Sequence, residues 1–526
     1  MSEPSSFCTI TTKQTIPEFL GWLLSLSIHH PNTDVFIMCD DLSKKAFDDM
    51  IPVPTLKINW KITLNEYTNK NRATMEKLNI WSTFQMSKAD VIAFALEFNP
   101  DTLFMDCDTL LLGKINDIDK TKQLGVSDQY IKNEYVVKYG TFNGGFLWTN
   151  NIKVVSDWKK FTLTSRYYDQ ASIENLVDTY ESFVIPENYN IQSWRFVIGV
   201  ETKEQHHRKV TVRNSKVFYN NLEIKFLHTH FNDNNDFNIF FINKLKEAKR
   251  YKELMIIYYI INRKWIIRIP KQPQRGLWHH DNNSYRELLT LIPSITIKYD
   301  TNVKNCILEP NIVLYDRPTL EWINDECITS SLILLGNGSI DVEGDILKTR
   351  GCNVKPWIFW PRKPSILEKR LVKKYEERTI NVIFIGKYEN SVQEKFRKNN
   401  WNGVIDKWHL IEGTKDMFTQ EQYLENLSNS LYGLCLRGYG SKCHREIELM
   451  ALGCVPLITP DVSLSYADPL IEGIHYCSIK TPDDIKNINK TKEEWTVMSN
   501  ACRAWYVKNV HSQNTMRTTL ENILYN

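Results

Sequence analysis

An apolar run, Leu103-Phe104-Met105, ends abruptly in Asp106-Cys107-Asp108. A short apolar run bounded by polar residues reads as a buried strand. Two carboxylates one residue apart at the end of such a strand are costly unless something cationic sits between them. In a doubly wound α/β sheet, the C-terminal end of a strand is also where ligands bind. A hard divalent cation held by carboxylates and carrying a diphosphate accounts for both facts. This one stretch therefore asks for a sheet with a buried central strand and a polar, cation-binding edge.

At 526 residues the chain is too long for one ordinary domain, and two large ones are expected. Hydrophobic residues at 42% and aromatics at 12% supply full cores, which argues against wholesale disorder. A formal net charge of +3, with no long basic run, does not indicate a nucleic-acid partner. The 11 cysteines include no CxxC pair, and several fall inside apolar strands. Buried reduced thiols in a cytoplasmic protein are the economical reading. No basic-then-apolar leader is evident at MSEPSSFCTITT. The apolar stretch Leu254–Ile267 is interrupted by Asn262-Arg263-Lys264, too short and too charged to span a bilayer. Oligomeric state is not legible.

Strands and helices alternate over the first half, which predicts a mostly parallel sheet. Expected strands are Phe7–Ile10, Asp34–Cys39, Thr102–Met105, Leu124–Val126, Gly145–Trp148 and Ile224–Leu227. Expected helices are Pro17–Ile28, Trp81–Phe98, Asp169–Tyr180 and Ile242–Ile261, with a loop over Asn232–Asn238. The breaker-rich stretch IPKQPQRGLWHHDNNS marks a boundary, giving a first domain over 1–268, a linker over 269–284 and a second domain over 285–526. In the second domain the expected strands are Ile312–Leu314, Leu332–Leu335, Val382–Ile385, Tyr432–Leu436 and Val455–Ile458. Helices are expected over Ser365–Tyr375, Gln420–Ser428, Arg445–Ala451 and from about Lys492 onward.

The acidic pair has company. Asn143-Gly144-Gly145 precedes an apolar strand, where glycines let backbone approach a ligand or simply make a turn. Asp169-Gln170 opens a helix, where an Asp also serves as a cap. Ile185–Asn190 is a polar turn, and Phe226-Leu227-His228-Thr229-His230 ends a strand with two histidines on one face. In this order the motifs resemble the GT-A nucleotide-sugar glycosyltransferases, in particular the glycogenin-like and lipopolysaccharide-galactosyltransferase-like group, over roughly residues 5–235.

The resemblance implies a Rossmann-like mixed sheet and a set of roles. Asp106, Asp108 and His228 would bind Mn²⁺, with Mg²⁺ the alternative metal and His230 the alternative histidine. Imidazole with carboxylates suits Mn²⁺. Asp106 would also lie near the ribose, and Thr9 and Thr12 would flank the nucleobase and ribose of a UDP-linked sugar. Lys88 stands where the family keeps a basic residue near the diphosphate, though it also reads as a solvated helix lysine. Asp128, Asn143, Gly144, Asp169 and Gln170 would line the donor sugar and acceptor. Asp169 and Asp128 are the candidates for base or nucleophile, with the family leaning towards retention. The family's loop after the histidine often carries Gly and then Lys-Pro-Trp; here Phe231-Asn232-Asp233-Asn234 follows.

A second constellation lies at Arg437-Gly438-Tyr439-Gly440-Ser441-Lys442, between an apolar strand and a helix. A glycine-containing loop feeding a helix N-terminus is an anion site, and Arg437, Lys442 and Arg445 add positive charge. Glu448 lies three residues after Arg445 on the same helical face, which also fits an ordinary surface pair. Arg445-x-x-Glu448 followed by Leu452-Gly453-Cys454-Val455-Pro456 resembles the donor-binding half of exostosin-like GT-B glycosyltransferases over about residues 378–480. That resemblance implies arginine at the diphosphate and glutamate at the ribose.

Two fused transferase modules, acting without nucleic acid on a nucleotide sugar and an oligosaccharide or glycoprotein acceptor, are the first expectation. A single active N-terminal module with a glycan-binding or scaffolding C-terminal domain is the alternative. The acidic pair and histidine argue against a carbohydrate-binding protein without turnover. Thr11-Thr12-Lys13-Gln14-Thr15 lacks the glycine of a nucleotidyltransferase loop. The Asn-, Ile- and Lys-rich composition points to an AT-rich genome, viral or bacterial.

Overall fold

The computed structural model describes residues 2–270, 295–300, 312–315, 333–336, 353–356, 361–388, 391–397, 400–412, 418–438, 442, 444–464 and 466–525. The chain divides into two units, Met1–Lys264 and Trp265–Leu524. From residue 271 onward the expected linker lies outside the described residues.

The first unit is built on β1 (Ser6–Thr11), β2 (Asp34–Cys39), β3 (Lys57–Ile62), β4 (Thr102–Met105), β5 (Thr109–Leu111), β6 (Leu124–Asp128), β7 (Phe142–Thr149), β8 (Ser182–Val184), β9 (Asn190–Gln192), β10 (Val210–Arg213), β11 (Lys216–Tyr219), β12 (Leu222–Glu223) and β13 (Phe226–His228). Seven of these form a mixed sheet in the order β3-β2-β1-β4-β7-β6-β8. β1 pairs in parallel with β2 and β4, whereas β7 is antiparallel to β4 and β6. β4 is buried at every residue, as its uninterrupted apolar run requires. Its start is fixed by Asp101, which accepts from Trp148 Nε1 and from Ser5.

A second sheet of order β5-β13-β9 sets the site. The chain leaves β4 at Met105, turns through Asp106–Asp108, and re-enters sheet structure as β5. β13 runs antiparallel to β5 with His228 opposite Thr109, so the histidine arrives beside the acidic turn. Thr229 N–H donates to the Asp108 carbonyl at 3.0 Å.

Three expected long helices are each broken. Trp81–Phe98 forms Trp81–Gln85 and Ser87–Leu96, joined at Met86. Asp169–Tyr180 forms Tyr168–Ala171 and Ile173–Thr179. There the Asp169 carbonyl accepts from Trp158 Nε1 and Ser172 Oγ, so a neighbouring helix and a local hydroxyl compete for an acceptor that an unbroken helix would use. Ile242–Ile261 is split into Asp236–Glu247 and Tyr251–Asn262 by Lys249, at φ 55°. Arg250 N–H closes that end onto the Leu245 carbonyl, a Schellman-type stop without its usual glycine. The expected loop Asn232–Asn238 ends early, at the Asn235 cap.

The second unit is also α/β. β14 (Trp265–Pro270), β15 (Ile295–Asp300), β16 (Ile312–Tyr315), β17 (Ile333–Gly336) and β18 (Asn353–Pro356) form one parallel sheet, in the order β15-β14-β16-β17-β18. β19 (Ile380–Tyr388), β20 (Lys407–Glu412), β21 (Ser430–Cys435), β22 (Val455–Ile458) and β23 (Cys477–Ser478) form another, in the order β20-β19-β21-β22-β23, again all parallel. The expected helix Ser365–Tyr375 shrinks to Pro364–Leu367. Beyond it the Lys373 carbonyl turns to accept Nε and Nη2 of buried Arg378. Among the described residues seven cysteines are free thiols, and no helix is long and apolar enough to cross a membrane.

Candidate functional site

One oxygen each from Asp106 and Asp108 and one ring nitrogen of His228 lie within 4.8 Å of one another. His228 Nε2 is 3.3 Å from Asp108 Oδ1 and 3.9 Å from Asp106 Oδ2. The donor set, two carboxylates and an imidazole, suits a borderline divalent cation such as Mn²⁺. Backbone chemistry makes room for it. A Cβ on Gly145 would come within 2.5 Å of both Asp106 Oδ2 and His228 Cε1, so the close approach requires glycine. The residues present therefore fit a metal.

Lys88 is the hub behind this cluster. It is buried, not solvated, and its Nζ lies 3.1 Å from Asp106 Oδ1 and 3.1 Å from Asp169 Oδ2. It also donates to the Gly144 carbonyl at 3.1 Å. Burial would weaken the ammonium, but Asp106 and Asp169 outweigh it and hold the pKa above the ordinary lysine value. Asp169 is thus no helix cap; its carboxylate receives Lys88 and packs against Gly144, where a Cβ would stand 2.6 Å from Oδ2.

The two acids of the turn are driven apart. Burial pushes the Asp106 carboxyl up, with Lys88 only partly opposing. Burial acts on Asp108 too, but His228 and His230 prevail and hold it well below the usual carboxylate range. His228 is raised in turn, with Asp108 overcoming its burial. This is the electrostatics of a site whose ligands lean on one another for charge compensation.

His230 also reaches Asp108, at 3.5 Å, but lies beyond β13 and is 56% exposed at its side chain, against 11% for His228. Its other nitrogen faces Glu18 at 3.8 Å, and Glu18 accepts from Asn232 Nδ2 at 2.7 Å. Glu18 and Asn232 thereby tie the loop after the histidines to the helix Ile16–His29. Nothing in the sequence singled out Glu18.

A buried amide network underpins the glycines. Asn143 Oδ1 accepts from Gly145 N–H and Asn190 Nδ2, and Asn143 Nδ2 donates to Gln192 Oε1. Asn190 lies in the polar turn noted above, whereas Gln192 carried no sequence signal. Other expected residues have hydrogen-bond partners outside the acidic turn. The Thr9 hydroxyl, fully buried, donates to the Met105 carbonyl and joins β1 to β4. Thr12 precedes a 3-10 turn, and its carbonyl accepts Thr15 N–H. Asp128 accepts Tyr130 N–H, and Gln170 Nε2 donates to the Tyr139 carbonyl at 3.0 Å.

In the second unit, Arg445 is buried at the end of β19. It donates to the Ile385 carbonyl at 2.7 Å, and its guanidinium lies 4.5 Å from the Phe384 ring centroid. A Cβ on Gly386 would stand 2.8 Å from Arg445 Nη2. Glu448 is fully buried and accepts Arg362 N–H at 3.0 Å, so the surface-pair reading of Arg445 and Glu448 gives way to two interior groups with separate partners. Lys442 is buried with its Nζ 4.8 Å from the Tyr466 ring, and Arg437 lies 5.4 Å from that of Phe396. Residues 439–441 of the expected anion loop lie outside the described residues.

No protein-family model and no curated protein matches the chain. Solved structures similar to it include the apo glycosyltransferase GlyE of Streptococcus pneumoniae TIGR4, at 14% identity over 64% of this chain and 91% of that one, with a TM-score of 0.32. The galactosyltransferase LgtC, in complex with donor and acceptor sugar analogs, matches at 12% identity over 52% of this chain and 98% of that one, with a TM-score of 0.33. The bifunctional glycosyltransferase WbbM in its apo form matches at 11% identity, covering 47% and 50%, with a TM-score of 0.31. At these values the reading of the site rests on its own geometry.

Proposed function

We propose that the N-terminal unit is a metal-dependent glycosyltransferase of GT-A type, moving a sugar from a nucleoside diphosphate donor, UDP-linked, to a glycan acceptor. The observation that carries this reading is the convergence of Asp106, Asp108 and His228 at a glycine-cleared turn, backed by the buried Lys88–Asp169 pair. Bound by the two carboxylates and the imidazole, Mn²⁺ (or Mg²⁺) would supply Lewis-acid neutralisation of the diphosphate leaving group. Lys88 offsets the charge of Asp106 and Asp169 in a buried setting and fixes their positions. Asp169 and Gly144 line the side of the cluster where a donor sugar would lie, with Gln170 beside them. The buried thiols agree with a cytoplasmic setting.

The second unit supports a further reading, that of a second, metal-independent donor site. Arg445 at the C-terminal edge of β19, with Lys442 and Arg437 after β21, concentrates positive charge where parallel sheets bind ligands. The test is release of sugar from a panel of UDP- and GDP-sugars, with and without Mn²⁺. Asp108→Ala should abolish the Mn²⁺-dependent turnover, and Arg445→Ala the metal-independent one. Full Mn²⁺-dependent activity in Asp108→Ala would sink the first reading. An Arg445→Ala chain that turns over every donor like the wild type would sink the second.

A further inference from the structure

The helix Asn133–Tyr139 buries none of its residues, yet it carries two tyrosines one turn apart. Their rings are parallel to within 1°, with centroids 6.2 Å apart. The row continues off the helix. Tyr139 meets Tyr167 edge-on at 4.8 Å, and Tyr167 meets Tyr168 at 5.3 Å. All four side chains are partly exposed. Partly exposed aromatic rings in a continuous row are not accounted for by core packing.

The row is rigid and joined to the site. Gly140, at φ 93°, presses its Cα face against Ala171, where a Cβ would stand 2.8 Å from the Ala171 Cα. Gln170 Nε2 donates to the Tyr139 carbonyl, and Arg166 donates to those of Val136 and Val137. The helix is thereby fastened through its last carbonyls to the segment that carries Asp169. Tyr168, immediately before Asp169, sits at φ 43°, a conformation a bulky residue keeps only when its surroundings hold it there. Arg72 Nη2 fixes the far end by donating to Tyr167 Oη at 3.0 Å.

We propose that Tyr135, Tyr139, Tyr167 and Tyr168 form a stacking platform for the acceptor, an oligosaccharide whose pyranose rings lay their C–H faces on the aromatic faces. A pyranose has an apolar face and a polar rim, which a tyrosine ring and its hydroxyl match. Lys138 Nζ lies over the Tyr139 ring, 4.9 Å from its centroid, and adds a polar partner within the row. A preformed platform avoids the cost of ordering side chains on binding. As a site for an acceptor the proposal rests on the transferase reading above; as a glycan site it can be tested alone.

The experiment uses the full chain on an oligosaccharide array, as wild type, Tyr135→Ala/Tyr139→Ala and Tyr135→Phe/Tyr139→Phe. The wild type should bind oligosaccharides on the array, the Ala pair should lose about tenfold or more, and the Phe pair should stay within about twofold. Thermal melting checks that each variant is folded. Absence of oligosaccharide binding by the wild type, or undiminished binding by the folded Ala pair, overturns the proposal. Titration of Mn²⁺ and UDP into the wild type reports the donor reading separately. A chain that binds glycan through these tyrosines but no UDP keeps the platform and loses the transferase.

Discussion

Gly145→Ala is the most revealing single substitution. The added methyl would lie 2.5 Å from Asp106 Oδ2 and 2.5 Å from His228 Cε1. Each neighbour would have to retreat by about 1 Å to reach ordinary contact. Neither has an easy way out. Asp106 Oδ1 is held by Lys88, its N–H is tied to the Gly145 carbonyl, and His228 is fixed in register by β5 and β9. Ligand constellations tolerate about 0.5 Å of misplacement, so two of three metal ligands would be out of position. Changes to groups that orient ligands lower metal affinity by about 10- to 100-fold, and that range is expected here. Mn²⁺ titration followed by electron paramagnetic resonance of the free ion measures it, with circular dichroism confirming the fold. A folded Gly145→Ala chain with wild-type Mn²⁺ affinity would refute the argument that these three residues converge on a cation.

Three further outcomes follow from the same geometry. Lys88→Met leaves buried Asp169 and partly exposed Asp106 without their cation and should destabilise the chain by about 3 kcal/mol, read from denaturant unfolding. His230 is raised to about 9 by Glu18 and Asp108. Its contribution to stability is therefore full below the unfolded value of about 6.5 and is lost as pH rises through about 9. The melting temperature of the metal-free wild type should fall over that window more than that of His230→Gln. Arg378→Ala removes a guanidinium that donates to the carbonyls of Lys373, Ser430 and Leu452, and should cost the second unit about 3 kcal/mol, measured by calorimetry.

The turn at Asp106–Asp108 was legible because paired carboxylates closing an apolar strand need a cation to offset their desolvation. Strands with continuous apolar runs, such as Asp34–Cys39 and Val455–Ile458, have the expected bounds. The broken helices were not legible. Their stops depend on side-chain partners of backbone carbonyls, as where Trp158 and Ser172 take the Asp169 carbonyl, or on a left-handed lysine in place of glycine. Lys88 read equally as solvated, because a helix pattern does not show that a lysine points at Asp106 and Asp169. The strand β9, three residues long, was missed, and with it Gln192, whose role appears only when β9 pairs with β13. The Thr9 hydroxyl donates to the Met105 carbonyl, a cross-strand partner that a single strand's pattern does not show.

The central claim is that Asp106, Asp108 and His228 hold a cation that binds a nucleoside diphosphate. Calorimetric titration of UDP into the full chain, with and without Mn²⁺, tests it most directly. Mn²⁺ should add UDP binding to the full chain, and Asp108→Asn should remove that Mn²⁺-dependent binding in a variant that still melts as a folded protein. UDP binding that is indifferent to Mn²⁺ and to Asp108→Asn, or no UDP binding at all, would contradict the account.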